Sequence, residues 1–359
     1  MAFGGRLVLG ILVTVLALTL IRAPAAAGET STANDGIALS NSNAANSWRR
    51  TMLHMWSISA NQAIAGKVIA RTTVINADGS AAGQAAQIQG LIKAGWNAIV
   101  IDAASPTKLD GVIRQACDAH IVVVVFDGLA AAPCAYKIVF PYEEMGHLEA
   151  WWVANNMHVT NTVLEVRGTA GTAVDAQIHQ GIISELSNYP NISLIGSVNG
   201  NWTESGARQA VAGILPTLPN VDAVVTQGGD AYGVYEAFVA AGRKPPVIVM
   251  GNRQNELALW KKLSQAPDRY ATVSVAPAPG VSSIAFWVAQ QVLAGARVPK
   301  TLTAPWLEIA PDTLDAWLKI VPPGSVASPL YSQHWTERLI AATREHKKPP
   351  ATRIPTEMP

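Results

Sequence analysis

Short apolar runs alternate with amphipathic stretches along most of the chain. Ile37-Ala38-Leu39 opens an apolar strand, which breaks into the polar loop that carries Asn46, Trp48 and Arg49 to the start of a helix. Lys67 to Ile75 is β-branched and partly alternating, and Gln84 to Ala94 sets Ala85, Ile88, Leu91 and Ile92 on one helical face. Ala98 to Asp102 is a short apolar strand, and Ser105-Pro106 reads as a helix cap with proline at the first helical position. Ile121 to Phe126 is uninterrupted in its apolar character and ends in Asp127-Gly128. Continuous apolar strands followed by helices predict a parallel sheet covered on both faces, because a strand with one wet face would alternate.

The pattern restarts near residue 137. Lys137 to Phe140, Val163 to Val166, Ile192 to Val198, Asp222 to Gln227, Val247 to Gly251 and Ala271 to Ala276 read as strands. Glu143 to Asn156, Val174 to Ser187, Thr203 to Leu218 and Ala231 to Ala241 read as the helices between them. Ser282 to Leu293 is a further helix and Trp306 to Ile309 a last strand. The two series predict an α/β protein of two doubly wound, like-folded lobes. Beyond Val321 the chain is Pro-rich and ends in the basic run Arg344 to Lys348, which predicts mostly irregular structure with at most a short helix near Thr336 to Arg344.

Residues 1–27 read as an export signal: Arg6, then the apolar run Leu7 to Ile21, then the small residues Ala25-Ala26-Ala27. The run is short for a membrane span, and no cysteine near the cleavage region offers a lipid anchor. Periplasmic export is therefore expected. About 330 residues remain, enough for two domains. The chain is 49% hydrophobic and 14% charged, which argues against disorder. Its formal charge of +1 becomes −1 once Arg6 and Arg22 are removed. That leaves no basic field for nucleic acid or anionic lipid and favours a neutral or zwitterionic ligand. Cys117 and Cys134 are the two cysteines, and an oxidising compartment lets them pair; two separate thiols are the alternative.

Asn46, Trp48 and Arg49 arrive together at the carboxyl end of a strand, where open α/β sheets bind ligands. An indole offers a flat apolar wall, and an amide and a guanidinium offer fixed hydrogen-bonding groups. Each also has a plain structural role: packing for Trp48, a helix cap for Asn46, a solvated helix position for Arg49. Asp127 can accept two sugar hydroxyls or cap its own turn, and Asp102 is second choice for the same role.

Four segments, in order, resemble the type I periplasmic sugar-binding proteins of the ribose-binding-like branch. They are GIALSNSNAANSWRR, the stretch from QAAQIQGLIKAGWNAIVID to IVVVVFDG, GTAGTAVDAQIHQGI and LPNVDAVVTQGGDAYGVYEAFVAAGR. The resemblance covers roughly residues 35 to 310. It implies two lobes joined by three crossings, near Phe140-Pro141, Ala276-Pro277 and Thr303-Pro305. The lobes would run over 35–140 with 277–304, and over 141–276 with 305–321, leaving 322–359 as an extension. It implies ligand contacts at Asn46, Trp48, Asp127 and Gln227, and at Asn252 and Arg253.

Asn252 and Arg253 stand where the family commonly has Asp, and three other positions depart from the ribose-binding pattern. Arg49 replaces an aromatic, which raises a sugar acid as a ligand. Gly128 replaces an arginine. Ala176 stands where a binding arginine is usual, with Gln177 and His179 nearby. The resemblance thus implies an exported receptor that closes on a monosaccharide, polyol or sugar derivative other than ribose. It would act as a monomer without cofactor, delivering ligand to the permease of an ABC transporter or, alternatively, to a sensor kinase or chemoreceptor.

No zinc spacing, P-loop or nucleophile elbow is present, so neither metal nor enzymatic activity is expected. GTAGTA reads as a tight strand–helix turn, Glu143-Glu144 as an exposed helix start, and Asn201-Trp202-Thr203 as an unused glycosylation sequon.

Overall fold

A computed structural model describes residue 1, residues 30–156, 162–266 and 270–352, and residue 354. The expected export signal lies outside the described residues apart from Met1, and so does His158. The first βα series comprises β1 (Gly36–Asn41), α1 (Ser47–Ala65), β2 (Arg71–Asn76), α2 (Ala81–Lys93), β3 (Ala98–Asp102), α3 (Asp110–Asp118), β4 (Val122–Phe126) and β5 (Tyr136–Val139). The second comprises α4 (Tyr142–Asn156), β6 (Thr162–Arg167), α5 (Ala173–Leu186), β7 (Ser193–Asn199), α6 (Glu204–Ile214), β8 (Ala223–Thr226), α7 (Ala231–Ala240), β9 (Val247–Ile248), α8 (Gln254–Ser264) and β10 (Ser274–Pro277). The chain finishes with α9 (Val281–Leu293), β11 (Thr301–Thr303), β12 (Trp306–Ile309), α10 (Leu314–Ile320) and α11 (Gln333–Arg344).

Six parallel strands form the first sheet in the order β11-β5-β4-β3-β1-β2. The second sheet is parallel in the order β7-β6-β8-β9. β10 extends it through a Met250–Ser274 bridge and pairs antiparallel with β12. The apolar runs are continuous because alternate residues enter different cores. Ile37, Leu39, Val100 and Val124 pack in the cluster of Trp56 from α1 and Phe286 from α9. Ala38, Ile99, Ile101 and Val123 pack in the cluster of Ile88 from α2 and Ile113 from α3. Ser282 and Ser283 are buried in α9, and their hydroxyls donate to the Met52 and Met55 carbonyls of α1, at 2.8 and 3.2 Å. Those bonds remove the penalty of burying two hydroxyls.

β2 starts later than the sequence pattern predicts. Gly66 caps α1 and Lys67 turns left-handed (φ 56°), so pairing begins only at Arg71. α6 ends at Ile214, and Pro216 confines the next turn to a 3-10 helix (Leu215–Thr217). α4 and α5 lie in backbone contact: a Cβ on Gly146 would sit 2.2 Å from the Ile178 carbonyl oxygen, and one on Gly181 2.0 Å from that of Glu143. Cys117, near the end of α3, is disulfide-bonded to Cys134, just before β5.

The chain leaves the first sheet between β5 and α4, returns between β10 and α9, and leaves again between β11 and β12. A fourth passage follows α10. The Gln254 amide donates to Ser325 O at 3.0 Å, Val326 bridges Arg253, and the Ala327 amide donates to Asn252 O at 2.9 Å. On the other side the Val326 amide donates to Thr51 Oγ1 at 3.2 Å, and Ser328 Oγ accepts from the Gly280 amide at 2.7 Å. Val326, Ala327 and Ser328 are buried, and α11 then packs on α9. Composition suggests irregular chain here. Prolines 322, 323 and 329 do prevent a helix, but the backbone is fixed by pairing to both halves of the molecule.

Candidate functional site

Parallel strands end along one edge of their sheet, and the first sheet ends in polar groups. β1 ends in Asn41, β3 in Asp102, and Asp127 follows β4 directly. Asn46 caps α1 from an extended backbone (φ −106°, ψ 169°), its Oδ1 accepting from the Arg49 amide at 2.9 Å. That cap aims the first turn of α1 across the strand ends. Arg49 Nη1 donates to Asn41 Oδ1 at 2.9 Å and to Asp102 Oδ2. Among the described residues its Nε and Nη2 have no acceptor.

Asp127 is half-buried with a left-handed backbone (φ 54°). Its Oδ1 accepts from the Tyr142 hydroxyl at 2.5 Å, a donor reaching over from the first residue of α4. Gly128 is required by space: a Cβ there would lie 2.5 Å from Ala103 O and 2.7 Å from Asp102 Oδ1. The arginine of the ribose-binding pattern therefore has no room. Trp48 is half-buried against the core, and its Nε1 donates to the carbonyl of Pro277, at the end of β10, at 2.7 Å. Gln84 of α2, fully buried, fixes the exit of β3. It donates to Asp102 O at 2.9 Å and accepts from the Ala104 amide at 2.7 Å.

Burial dominates the electrostatics. It raises the Asp102 carboxyl to about 7, against the pull of Arg49 and with help from the Asp127 charge. Burial likewise raises Asp127, again opposed by Arg49. Burial tends to lower the Arg49 guanidinium, but the Asp102 and Asp127 charges hold it above its usual value. Burial and then the Asp127 charge push the Tyr142 phenol well up, so it stays a donor. The group is two acids sharing one base, with Gly128 beside both acids.

The second sheet places Gln227, Asn252 and Arg253 beyond its own strand ends, and each makes side-chain hydrogen bonds to the protein itself. Gln227 Oε1 accepts from the Gly168 amide at 2.9 Å, and its Nε2 donates to Asp175 O at 3.1 Å. Asn252 Nδ2 donates to Leu307 O at 2.7 Å, and its Oδ1 accepts from Ser274 Oγ at 2.6 Å. Arg253 lies over Gly229 and donates to Trp202 O at 2.6 Å. Amides that sequence position directs at a ligand here hold loops, because buried loop backbone needs partners. Near the position lacking its arginine, Arg167 is ion-paired with Asp175, and His179 meets Glu165 at 2.9 Å.

Sequence reasoning missed three residues at the two edges. Asn41 is one of several polar residues in its loop and Tyr142 opens a helix beyond the first sheet, so neither advertises the partner it holds, Arg49 and Asp127 respectively. Trp202 was visible only as the middle of a sequon. It is half-buried on the loop after β7, stacked on Gly168, whose Cβ would lie 2.1 Å from the indole. Asn201 and Trp202 are both left-handed (φ 57° and 53°), a conformation that non-glycine residues hold only under constraint. An aromatic at a strand's carboxyl end, as with Trp48, was the available signal. Among the described residues no helix is long and apolar enough to cross a membrane, and no group of three or more His, Cys, Asp or Glu could hold a metal ion.

Comparison with known proteins agrees with the fold. The periplasmic binding protein domain family matches residues 37–297. The crystal structure of an ABC transporter solute binding protein from Thermobispora bispora is 33% identical, with a TM-score of 0.84, over 90% of this chain and 100% of that one. The galactofuranose-binding protein YtfQ of Escherichia coli is 24% identical over 226 residues, 60% of this chain and 70% of that protein. A periplasmic solute binding protein of Actinobacillus succinogenes, solved with bound D-allose, has the same fold, with a TM-score of 0.71 at 18% identity over 79% of this chain and 100% of that one. With the family matched over most of its length and the Thermobispora protein spanned end to end, this chain belongs to the periplasmic binding protein domain family.

Proposed function

We propose that this protein is an exported receptor that captures a monosaccharide, polyol or sugar derivative between its lobes and hands it to the permease of an ABC transporter. The export signal is residues 1–27, the receptor acts as a monomer, and the ligand leaves chemically unchanged. The lobes are residues 35–140 with 277–304, and 141–276 with 305–321. The relatives support this reading: one is named for galactofuranose and another was solved with D-allose.

One observation carries it at the level of residues. Trp48, Arg49 and Asp127 stand at the carboxyl ends of parallel strands, with donors on Arg49 and an acceptor on Asp127 left over by the protein's own hydrogen bonds. A hydroxyl-rich ligand would accept from Arg49, donate to Asp127 and lay its C–H face on the Trp48 indole. Asn46 sets the helix start that aims this group, while Gln227, Asn252 and Arg253 frame the opposite wall beneath Trp202. Ligand bridging the two walls would favour the closed arrangement by its differential affinity.

A thermal-shift panel of sugars and polyols identifies the ligand, since a binder at 100 times its Kd adds about 2.7 kcal/mol of stability. Calorimetry with Trp48→Ala then tests the site. Affinity is expected to fall by about tenfold or more, from lost stacking and burial, with the fold retained. Unchanged affinity in the folded variant would refute the assignment.

A further inference from the structure

We infer that Asp102 is a specificity-determining residue of this site. By neutralising Arg49 beside Asp127, it makes the site select neutral, hydroxyl-rich ligands and reject their carboxylated counterparts. The inference rests on the receptor reading above and narrows its ligand class.

Taken alone, Arg49 argues the other way. A guanidinium pairs a carboxylate fork to fork, which would make a sugar acid the natural guest. The structure gives that guanidinium two acids instead. Asp102 Oδ2 is in direct contact with Nη1, and the Asp127 charge also acts on it. With both acids ionised the trio carries −1, and with one proton between them it carries 0. Neither state leaves positive charge for a ligand carboxylate. Such a group would have to stand beside Asp127, largely out of water, where like charges repel strongly. A vicinal diol meets complementary groups: it can accept from Arg49 Nε or Nη2, which have no acceptor among the described residues, and donate to the Asp127 carboxylate, whose Oδ1 also accepts from Tyr142.

Asp102 exerts this effect without touching the ligand. It is fully buried, and the backbone of Gly128 roofs it closely enough to exclude a Cβ. The groups around it are Arg49 from α1, Asp127 after β4, Asn41 at the end of β1, and Gln84 of α2 on its carbonyl. Arg49 and Asp127 are therefore the charged groups whose balance it sets.

Matched pairs test this by calorimetry at pH 7.5 and low salt: D-galactose with D-galacturonate, D-glucose with D-glucuronate, and xylitol with xylonate. In wild-type protein the neutral member of any pair that binds is expected to bind at least 100-fold more tightly. In Asp102→Asn that ratio is expected to fall at least tenfold, a change in selectivity that a purely structural role would not produce. In Arg49→Gln the acid is expected to remain excluded, since the two carboxyl groups persist. A wild-type protein that binds an acid as tightly as its neutral partner overturns the inference and leaves the receptor reading standing. So does a folded Asp102→Asn with the wild-type ratio. A protein that binds no sugar or polyol of the thermal-shift panel and neither member of any pair overturns both. The wild-type ratio can overturn the inference even where a variant does not fold.

Discussion

Gly181→Ala is the sharpest test of how the second lobe is assembled. α4 and α5 meet through backbone, and a Cβ at 181 would lie 2.0 Å from the Glu143 carbonyl oxygen. Carbon–oxygen contacts settle at about 3.3 Å or more, so the helices must part by roughly 1 Å. Neither side can yield by turning a flexible side chain, because the obstructing atoms are backbone. Overpacking costs about 1–3 kcal/mol, and this case belongs at the upper end. A loss of about 3 kcal/mol corresponds to roughly 6–12 °C in Tm for a unit of this size. The displacement also reaches the ligand edge, since α4 begins at Tyr142, the donor to Asp127. Circular dichroism melting measures the first effect and calorimetry with the panel ligand the second. Gly146→Ala is expected to behave alike, and the double variant to lose less than the sum, because helices already parted accommodate the second methyl. Gly90→Ala in α2, with nothing within 4 Å of its Cβ position, is the control and is expected to raise Tm slightly. A Gly181→Ala protein melting within 1 °C of wild type would show that the helices are not in backbone contact.

Two further outcomes follow from buried groups. Glu149 of α4 is fully buried; burial, then the Glu165 and Asp230 charges, push its carboxyl well above the usual range. Burial drives Asp230 the same way and takes Asp102 to about 7. The unfolded chain releases these protons near pH 4 while the folded chain keeps them, so stability is expected to fall as pH rises from about 4 through 7. Tm should be higher at pH 5 than at pH 8, and Glu149→Gln should flatten that slope and melt above wild type at pH 8; a wild-type Tm that rises across the interval contradicts the sign. Replacing Cys117 and Cys134 together by serine should cost about 3 kcal/mol, the loop-closure value for a bridge spanning 17 positions, without changing ligand affinity. Affinity lost in step with stability would mean the bridge also shapes the binding edge.

Much of the fold is readable from hydrophobic period. β4 falls within a residue of the apolar run that predicts it, because burial on both faces writes itself directly into composition. The site is only half readable. The loop that delivers Trp48 and Arg49 declares itself locally, and so does the acid after β4. What Arg49 does is not local: its partner Asp102 lies 53 residues away, and the pairing turns an anion-seeking group into a neutralised one. Gln227 and Asn252 mark the opposite limit. A polar residue at a strand end serves a ligand or a loop equally well, and sequence position alone does not distinguish the two. The chain beyond Val321 hides its order because backbone pairing leaves no trace in composition.

That last segment changes what opening means for this molecule. Residues 325 to 328 are bonded to Asn252, Arg253 and Gln254 on one side and to Thr51 and Gly280 on the other. Swinging the halves apart must therefore bend or break a belt as well as flex three threads. A belted receptor samples a narrower range of gape while empty. It surrenders less freedom when a guest arrives, and the tail of the chain thereby helps to set how tightly it is held.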